Sequence, residues 1–413
     1  MLPSAEARRD ARLLLARQPV YDTELKVFAY ELLHRSMDPA RYSIGDGDAA
    51  SSQLLLDAFG PAGIADLTEG LPALINFTEH LILHPPAVTP GLIIVEVLEH
   101  VRPTARVTAG LAALRARGFR IALDDFRHHT ALEPLLALAD IVKLDVLAMS
   151  EPELRAEVRK LRNHPLRLLA EKIESWEMYN HCADLGFSYF QGFFLAHPQA
   201  VHGERPGPDD AALLTLLEDL LRARSSPEFA RVLGRRDQMP ALRMLRLANG
   251  PDRCGEGVLE ALEDALARLG GRAAGRACIA VLAGIDHKPR ELVHLALARA
   301  RACELLGEVY EARLAARGFE TGVLSLLDAF LDQPMANLLT TPGDAHAELS
   351  AACSQSGEVA ALLATAIAFE KGDWGNAPWD ALGSMGIDKA AAEAAYLGSL
   401  RWARHAMEAM FSG

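Results

Sequence analysis

Acidic, amide and lysine side chains close one short apolar run after another in the first half of this chain. "ALIN" ends in Asn76, "LIIVE" in Glu96 with Glu99 three positions on, and "IALDD" in Asp124 and Asp125. "DIVKLD" carries Lys143 and Asp145, "RLLAE" ends in Glu171, "YFQG" carries Gln191, and Glu31 lies in "YELLHR". Taken singly, each has a bland reading. An acid at a strand end commonly caps a helix or sits in water, Asn76 could make an Asx turn, Gln191-Gly192 a tight turn, and Lys143 could snorkel. Their recurrence argues for chemistry. Glu31, Glu96, Asp124, Asp125 and Glu171 in one crevice would repel without a counter-charge. Oxygen donors without His or Cys suit Mg²⁺ or Mn²⁺ rather than zinc. The adjacent Asp124 and Asp125 could serve two ions, one carboxylate bridging. Two ions roughly 3.5–4 Å apart are the usual device for phosphodiester cleavage.

Such a crevice needs elements that bring distant residues together. Apolar runs of strand length appear as "LLLARQPV", "ALINF", "GLIIVEV", "RIALDDF", "IVKLDV", "LRLLAE" and "SYFQGFF". Between several of them lie helix-like stretches: "SSQLLLDAF", "VTAGLAALRARG", "EPELRAEVRKLR" and "WEMYNHCADLG". Alternating strands and helices predict a largely parallel sheet covered by helices. The number of units favours a closed barrel, and an open flavodoxin-like sheet also fits the pattern. In a βα-barrel the carboxyl ends of the strands converge on one face, which would gather these side chains.

A Pro-, Gly- and charge-rich stretch, "HPQAVHGERPGPDDAA", reads as a linker, and strand signals stop after it. "VLEALEDALARLG" sets Val258, Leu259, Leu262, Leu266 and Leu269 on one helical face. "ALRMLRLANGP", "ELVHLALARARACELLGEVY" and "VAALLATAIAFE" also read as helices, so the second half is expected to be all-α. The expected domains are residues 1–203 and 204–413.

Bulk properties limit the function classes. At 413 residues the chain is too long for one ordinary core. A net charge of −13 argues against general nucleic-acid binding, which needs a basic face, while leaving room for a small anion in a locally positive pocket. No apolar run reaches membrane-span length, and the N-terminus shows no export signal, so no membrane association is expected. Five scattered cysteines without a CxxC pair read as reduced, buried residues of a cytoplasmic protein.

In order along the first half, "YELLHR", "LINFT", "VEVLE", "ALDDF", "DIVKLD", "LAEKIES" and "FQGFFLAHP" resemble the motifs of EAL domains, the cyclic-di-GMP phosphodiesterases. The resemblance implies a modified TIM barrel. It implies that Glu31, Asn76, Glu96 and Asp124 hold a first metal, with Asp124 bridging to a second held also by Asp125 and Glu171. Lys143 would contact the attacking water, Gln191 would position solvent or ligands, Arg35 would grip a phosphate, and Glu99 would brace the loop after Asp125. The product would be the linear dinucleotide pGpG. There are departures. The signature's central Ala is Leu32, and Leu98 replaces a Thr between the two glutamates. Arg127-His128-His129 stands where the family has Gly-Thr-Gly, and Lys172 where it has Gly. Glycine permits backbone angles that these residues adopt reluctantly. Lys172 could compete with the second metal or bind phosphate itself. His128 and His129 could be extra ligands, but an exposed loop pair is the preferred expectation.

The second half resembles HDOD domains in "MPALRMLRLANG", "KPRELVHLALARARACELLGE", "GVLSLLDAFLDQPMANLL" and "AFEKGDWG". None of its His287, His294, His346 and His405 is followed by the Asp that HD-type metal sites need. It is therefore expected to be non-catalytic, a helical surface for a protein partner. The resemblance implies a bacterial signalling protein that binds cyclic-di-GMP and hydrolyses it if two divalent metals assemble. The alternatives are an inactive receptor and a protein-interaction scaffold; a homodimer stays open.

Overall fold

The structure is a computed structural model that describes residues 13–36, 63–86, 88–199, 208–223, 238–249, 262–339 and 357–411, with single positions between them. The expected helix at "SSQLLLDAF", the positions Val258 and Leu259, His346, and the junction expected at 203/204 lie outside the described residues. The chain divides into two compact units. One runs to Phe194 and includes Glu370–Gly372; the other comprises Leu195–Phe369 and the chain from Asp373 onward. Among the described residues, no helix is long and apolar enough to cross a membrane.

The first unit contains a closed barrel whose strands follow one another in sequence order. They are β1 (Leu13–Asp22), β2 (Val27–Ser36), β3 (Ala73–Phe77), β4 (Ile93–Val97), β5 (Arg120–Leu123), β6 (Ile141–Asp145), β7 (Arg167–Ile173) and β8 (Tyr189–Gly192). The pairs from β2 through β8 are parallel. β1 runs antiparallel to both of its neighbours, β2 and β8. The barrel therefore departs from an all-parallel one at a single strand. β2 has no counterpart among the seven apolar runs of the sequence; its apolar residues are interrupted by Glu31, and His34 and Arg35 close the segment.

Strand periodicity builds the interior in layers. Val20, Ala29, Leu74, Ile94, Ala122, Ile141 and Leu169, one from each of β1 to β7, form a buried apolar cluster, with Phe28 and Tyr189 packed against it. Side chains two positions apart on a strand share a face. Two residues onward from Ala29, Leu74, Ile94, Ala122, Ile141, Leu169 and Tyr189 stand Glu31, Asn76, Glu96, Asp124, Lys143, Glu171 and Gln191. On the reversed β1, two residues before Val20, stands Gln18. A polar layer thus lies directly on the apolar one, toward the carboxyl ends of the parallel strands.

The helices after the strands begin and end where local chemistry dictates. α1 (Glu79–Leu83) follows β3, and α2 (Ala105–Ala116) follows β4; the Thr104 side chain accepts from the Val107 N–H at the start of α2. Past the end of α2, Gly118 adopts φ 95°, the left-handed turn that glycine makes easily after a helix. α3 (Glu133–Leu136) follows β5. Ser150 and Glu153 form a capping box on α4 (Glu151–Leu161). α5 (Trp176–Leu185) starts on Ser175 and closes on a left-handed Gly186.

The second unit is helical in its described residues. Its long helices, Arg290–Tyr310 and Ala312–Leu324, touch backbone to backbone. A Cβ on Gly322 would lie 2.4 Å from the Ala300 Cα, so only glycine allows this approach. Beside the seam, Glu304 is fully buried, with Arg276 Nη2 at 2.7 Å and Arg301 Nη1 at 2.5 Å. The two guanidiniums outweigh the effect of burial and hold the Glu304 carboxyl below its usual range.

Candidate active site

The ammonium of Lys143 lies inside the polar layer, 1% exposed. Its Nζ is 2.8 Å from Glu171 Oε1, 3.0 Å from Asp124 Oδ1 and 3.3 Å from Glu31 Oε2, and it also contacts Glu96 Oε1. Carboxyls from β2, β4, β5 and β7 therefore meet on one lysine from β6. Gln191 Nε2 donates to Glu31 Oε2 at 2.6 Å and to Gln18 Oε1 at 2.9 Å, which ties β8 to β2 and β1.

One ammonium cannot neutralise four carboxylates, and burial decides which of them gives way. Desolvation pushes fully buried Glu96 well above the carboxylate range, against the pull of Lys143. It lifts Glu171 to about 8. For Asp124 burial also works upward, but the Lys143 ammonium and hydrogen bonds outweigh it and the carboxyl is held low. Burial alone would discharge Lys143; Glu171, Glu31, Glu96 and Asp124 instead raise it well above its usual value. Burial thus works toward the neutral form at Glu96 and Glu171, while Lys143 works toward the ionised form at Asp124.

Two backbone irregularities set the rim. β7 pairs with β8 at Ala170 and next at Ile173, so Glu171 and Lys172 form a bulge. Bulges re-aim side chains and are frequent beside active sites. Lys172 takes φ 59°, the left-handed region where a non-glycine residue is disfavoured by roughly 1 kcal/mol. The site of the expected glycine is thus a place where glycine would be easy, and lysine holds it with a salt bridge from Nζ to Asp145 Oδ2 at 2.5 Å. Opposite the bulge, Gly192 takes φ 153°, and a Cβ there would lie 2.0 Å from the Ile173 carbonyl oxygen. The second irregularity separates the paired aspartates. Asp125 takes φ 41°, which turns the chain so that Asp124 faces Lys143 while Asp125 is exposed. Burial and the neighbouring Asp124 raise the Asp125 carboxyl.

The Arg127-His128-His129 loop is anchored away from this layer. Arg127 Nη2 donates to the Ala148 carbonyl at 2.5 Å, and the His128 N–H donates to the Glu157 carboxylate. His128 Nε2 lies 2.8 Å from Glu133 Oε1. His129 Nδ1 accepts from the Ala131 N–H at 3.2 Å, capping the short turn Thr130–Leu132. His129 is exposed, whereas His128 is half-buried against Glu133, so the pair is not uniformly exposed. Neither imidazole engages the carboxylates of the layer.

Of the residues expected to act, Glu31, Glu96, Asp124, Lys143, Glu171 and Gln191 are brought into contact, and Asn76 shares their layer. Asp125 and Lys172 stand at the rim. Glu99 does not join them; it lines a cleft of about 170 Å³ with Asp124, Asp125 and Arg127, and its Oε1 lies 3.9 Å from His100 Nδ1. Arg35 lies in β2 with its side chain outside the described residues. Two residues not assigned a role from the sequence belong to the site. Gln18 shares the layer, and its signal was a polar residue two positions before the inward Val20. Asp145 stands two positions beyond Lys143 and holds Lys172.

The donor set fits a hard divalent cation. Its potential donors are all oxygens, and the buried Asn76 Oδ1, Glu96 Oε2 and Glu171 Oε2 have no hydrogen-bond donor. Among the described residues, no group of three His, Cys, Asp or Glu side chains is disposed as it stands to hold a metal. The Lys143 ammonium lies between the carboxyls.

Residues 69–198 match the model of the EAL domain. The match begins after β2, so Glu31 and Arg35 fall outside it. The uncharacterized protein YuxH of Bacillus subtilis (strain 168) is 28% identical over 415 residues, covering 96% of this chain and 100% of YuxH. The cyclic di-GMP phosphodiesterase CdgJ of Vibrio cholerae is 29% identical over 371 residues, covering 87% of this chain and 85% of CdgJ. Among solved structures, the PaMucR phosphodiesterase in complex with c-di-GMP is 22% identical, covers 48% of this chain and 95% of that chain, and superposes with a TM-score of 0.37.

Proposed function

We propose that the chain is a bacterial, cytoplasmic signalling protein whose barrel binds cyclic-di-GMP at its carboxyl rim and hydrolyses it to pGpG with Mg²⁺ or Mn²⁺. The observation that carries this reading is the polar layer itself, in which carboxyls from four strands meet and buried acceptor oxygens lack donors. The EAL-domain match and the likeness to CdgJ support the choice of substrate.

Glu31, Asn76, Glu96 and Asp124 would hold a first ion; Asp124, Asp125 and Glu171 are the donors for a second, whose position Lys172 adjoins. Bound there, such ions supply an activated water and charge stabilisation on the phosphoryl oxygens. In the hydrolysis a water oxygen bonds to phosphorus, one ester P–O bond of the ring breaks, and the leaving ribose oxygen takes up a proton. Lys143 would contact the attacking water once ions take its place among the carboxyls. Gln191 fixes Glu31 through its amide. Arg35 would pair with a phosphate, for which a guanidinium fork is suited.

A second reading, a receptor that binds without turnover, is favoured by the Lys143 ammonium among the carboxyls. In both readings the helical half, which resembles HDOD domains, passes the state of the barrel to a protein partner. The test is a turnover assay with Mg²⁺ or Mn²⁺ beside a binding titration. Formation of pGpG that Glu31→Ala abolishes is the expected result. Binding without pGpG would leave the receptor, and no binding with or without metal would leave a scaffold. Unchanged turnover in Glu31→Ala would overturn the site assignment.

A further inference from the structure

The rim carries two acidic groups, and each has its own lysine. The inner group, Glu31, Glu96, Asp124 and Glu171, surrounds Lys143. The outer group is Asp145, Asp125 and the rim side of Glu171, and the cation there is Lys172. Its Nζ sits 2.5 Å from Asp145 Oδ2, and the charges of Asp145, Asp125 and Glu171 all act on it. The bulge that makes room for Glu171 forces Lys172 into left-handed backbone at φ 59°, a conformation a lysine adopts only when something holds it there. A separate observation is an open acceptor oxygen. Glu171 is 8% exposed, and its Oε2 has no hydrogen-bond donor although Oε1 lies on Lys143.

We infer that Lys172 is a built-in counter-ion of the outer acidic group, that it occupies the charge role of a divalent ion there, and that the wild-type chain therefore holds one ion fewer than its carboxylates could bind. The inference deepens the proposed two-ion reading and rests on it only for the identity of the inner site. An ammonium on Asp145 neutralises that carboxylate, and a divalent ion arriving beside it would meet a positive charge. Removing that charge frees Asp145 and leaves Asp125 without its lysine, while Glu171 keeps Lys143 on Oε1 and an open Oε2; the three carboxyls are an oxygen-only set suited to Mn²⁺.

The test is the stoichiometry of Mn²⁺ on the full chain, by equilibrium dialysis and elemental analysis, for wild type, Lys172→Gly and Lys172→Asn. Glycine is favoured at φ 59°, so the first variant relieves backbone strain and is expected to fold. Asparagine tolerates the same backbone and removes only the charge. The expected result is one ion per wild-type chain and two in both variants. If wild type binds none and the variants one, the inference about Lys172 stands and the inner assignment falls. If wild type binds two, or the variants bind no more than wild type, Lys172 does not exclude an ion and the inference is overturned. A gain in Lys172→Gly without one in Lys172→Asn would assign the effect to backbone freedom and overturn it equally.

Discussion

Replacing Lys143 by methionine removes the only ammonium inside the polar layer among the described residues, while keeping a long unbranched side chain. The structure sets the size of the effect. Four carboxyls contact this Nζ, three of them at 2.8, 3.0 and 3.3 Å, and the lysine is 1% exposed. Removing one partner of a buried ion pair costs about 3–5 kcal/mol, because the remaining charge stays buried and uncompensated. Methionine fills a similar volume, so packing adds under about 1.5 kcal/mol. The carboxyls can take up protons, which keeps the total near the pair value. A loss of about 3–5 kcal/mol is a large share of the 5–15 kcal/mol typical of a folded domain. Divalent metal should restore part of it; an ion present at a hundred times its dissociation constant contributes about 2.7 kcal/mol. The assay is urea unfolding at neutral pH with and without Mn²⁺, with amide hydrogen exchange in β4 to β7 reporting the barrel by itself. A loss below about 1 kcal/mol, no larger than that of the surface substitution Lys160→Met, would refute the claim that Lys143 is the internal counter-ion.

Three further outcomes follow from other parts of the molecule. Gly192→Ala places a Cβ 2.0 Å from the Ile173 carbonyl oxygen, so it should lower stability by at least about 1–3 kcal/mol and displace Gln191 from Glu31; an unchanged urea midpoint would contradict this. Because the folded state holds the Glu304 carboxyl low, its stabilisation is present above its unfolded value of 4.5 and is lost as pH falls through the depressed folded value. Unfolding midpoints of the helical unit should therefore drop on acidification, and Glu304→Gln should flatten that slope. Burial pushes the thiols of Cys182 and Cys353 up to about 12 and that of Cys278 further, so site-resolved alkylation near neutral pH should be negligible until urea is added. Rapid labelling of the native chain at Cys182 would contradict it.

The barrel was legible because its strands carry two signals at once. Apolar runs such as "LIIVE" and "IVKLD" place an inward apolar residue and, two positions on, an inward polar one, and this period fixes both the sheet and the site. β2 escaped the run-based reading because Glu31, His34 and Arg35 interrupt "VFAYELLHRS", even though Ala29 and Glu31 obey the same period. The reversal of β1 was not legible, since strand direction depends on the connection between β1 and β2 rather than on side-chain pattern. Gln18 was missed for the same reason: on a reversed strand the inward polar residue precedes the apolar one. Lys143 was recognised as a site residue, but its place among the carboxyls depends on geometry across β2, β4, β5 and β7. The tether of His128 to Glu133 and Glu157 was equally hidden, because those partners lie in α3 and α4.

The central claim is that the carboxylate layer is a cyclic-di-GMP site. Its most direct test is a calorimetric titration of cyclic-di-GMP into the full chain with Mn²⁺ present, repeated on Glu96→Ala. Saturable binding at one dinucleotide per chain, abolished or weakened at least tenfold in the variant, is the predicted result. Absence of binding to the wild type, or equal binding by the variant, would contradict it.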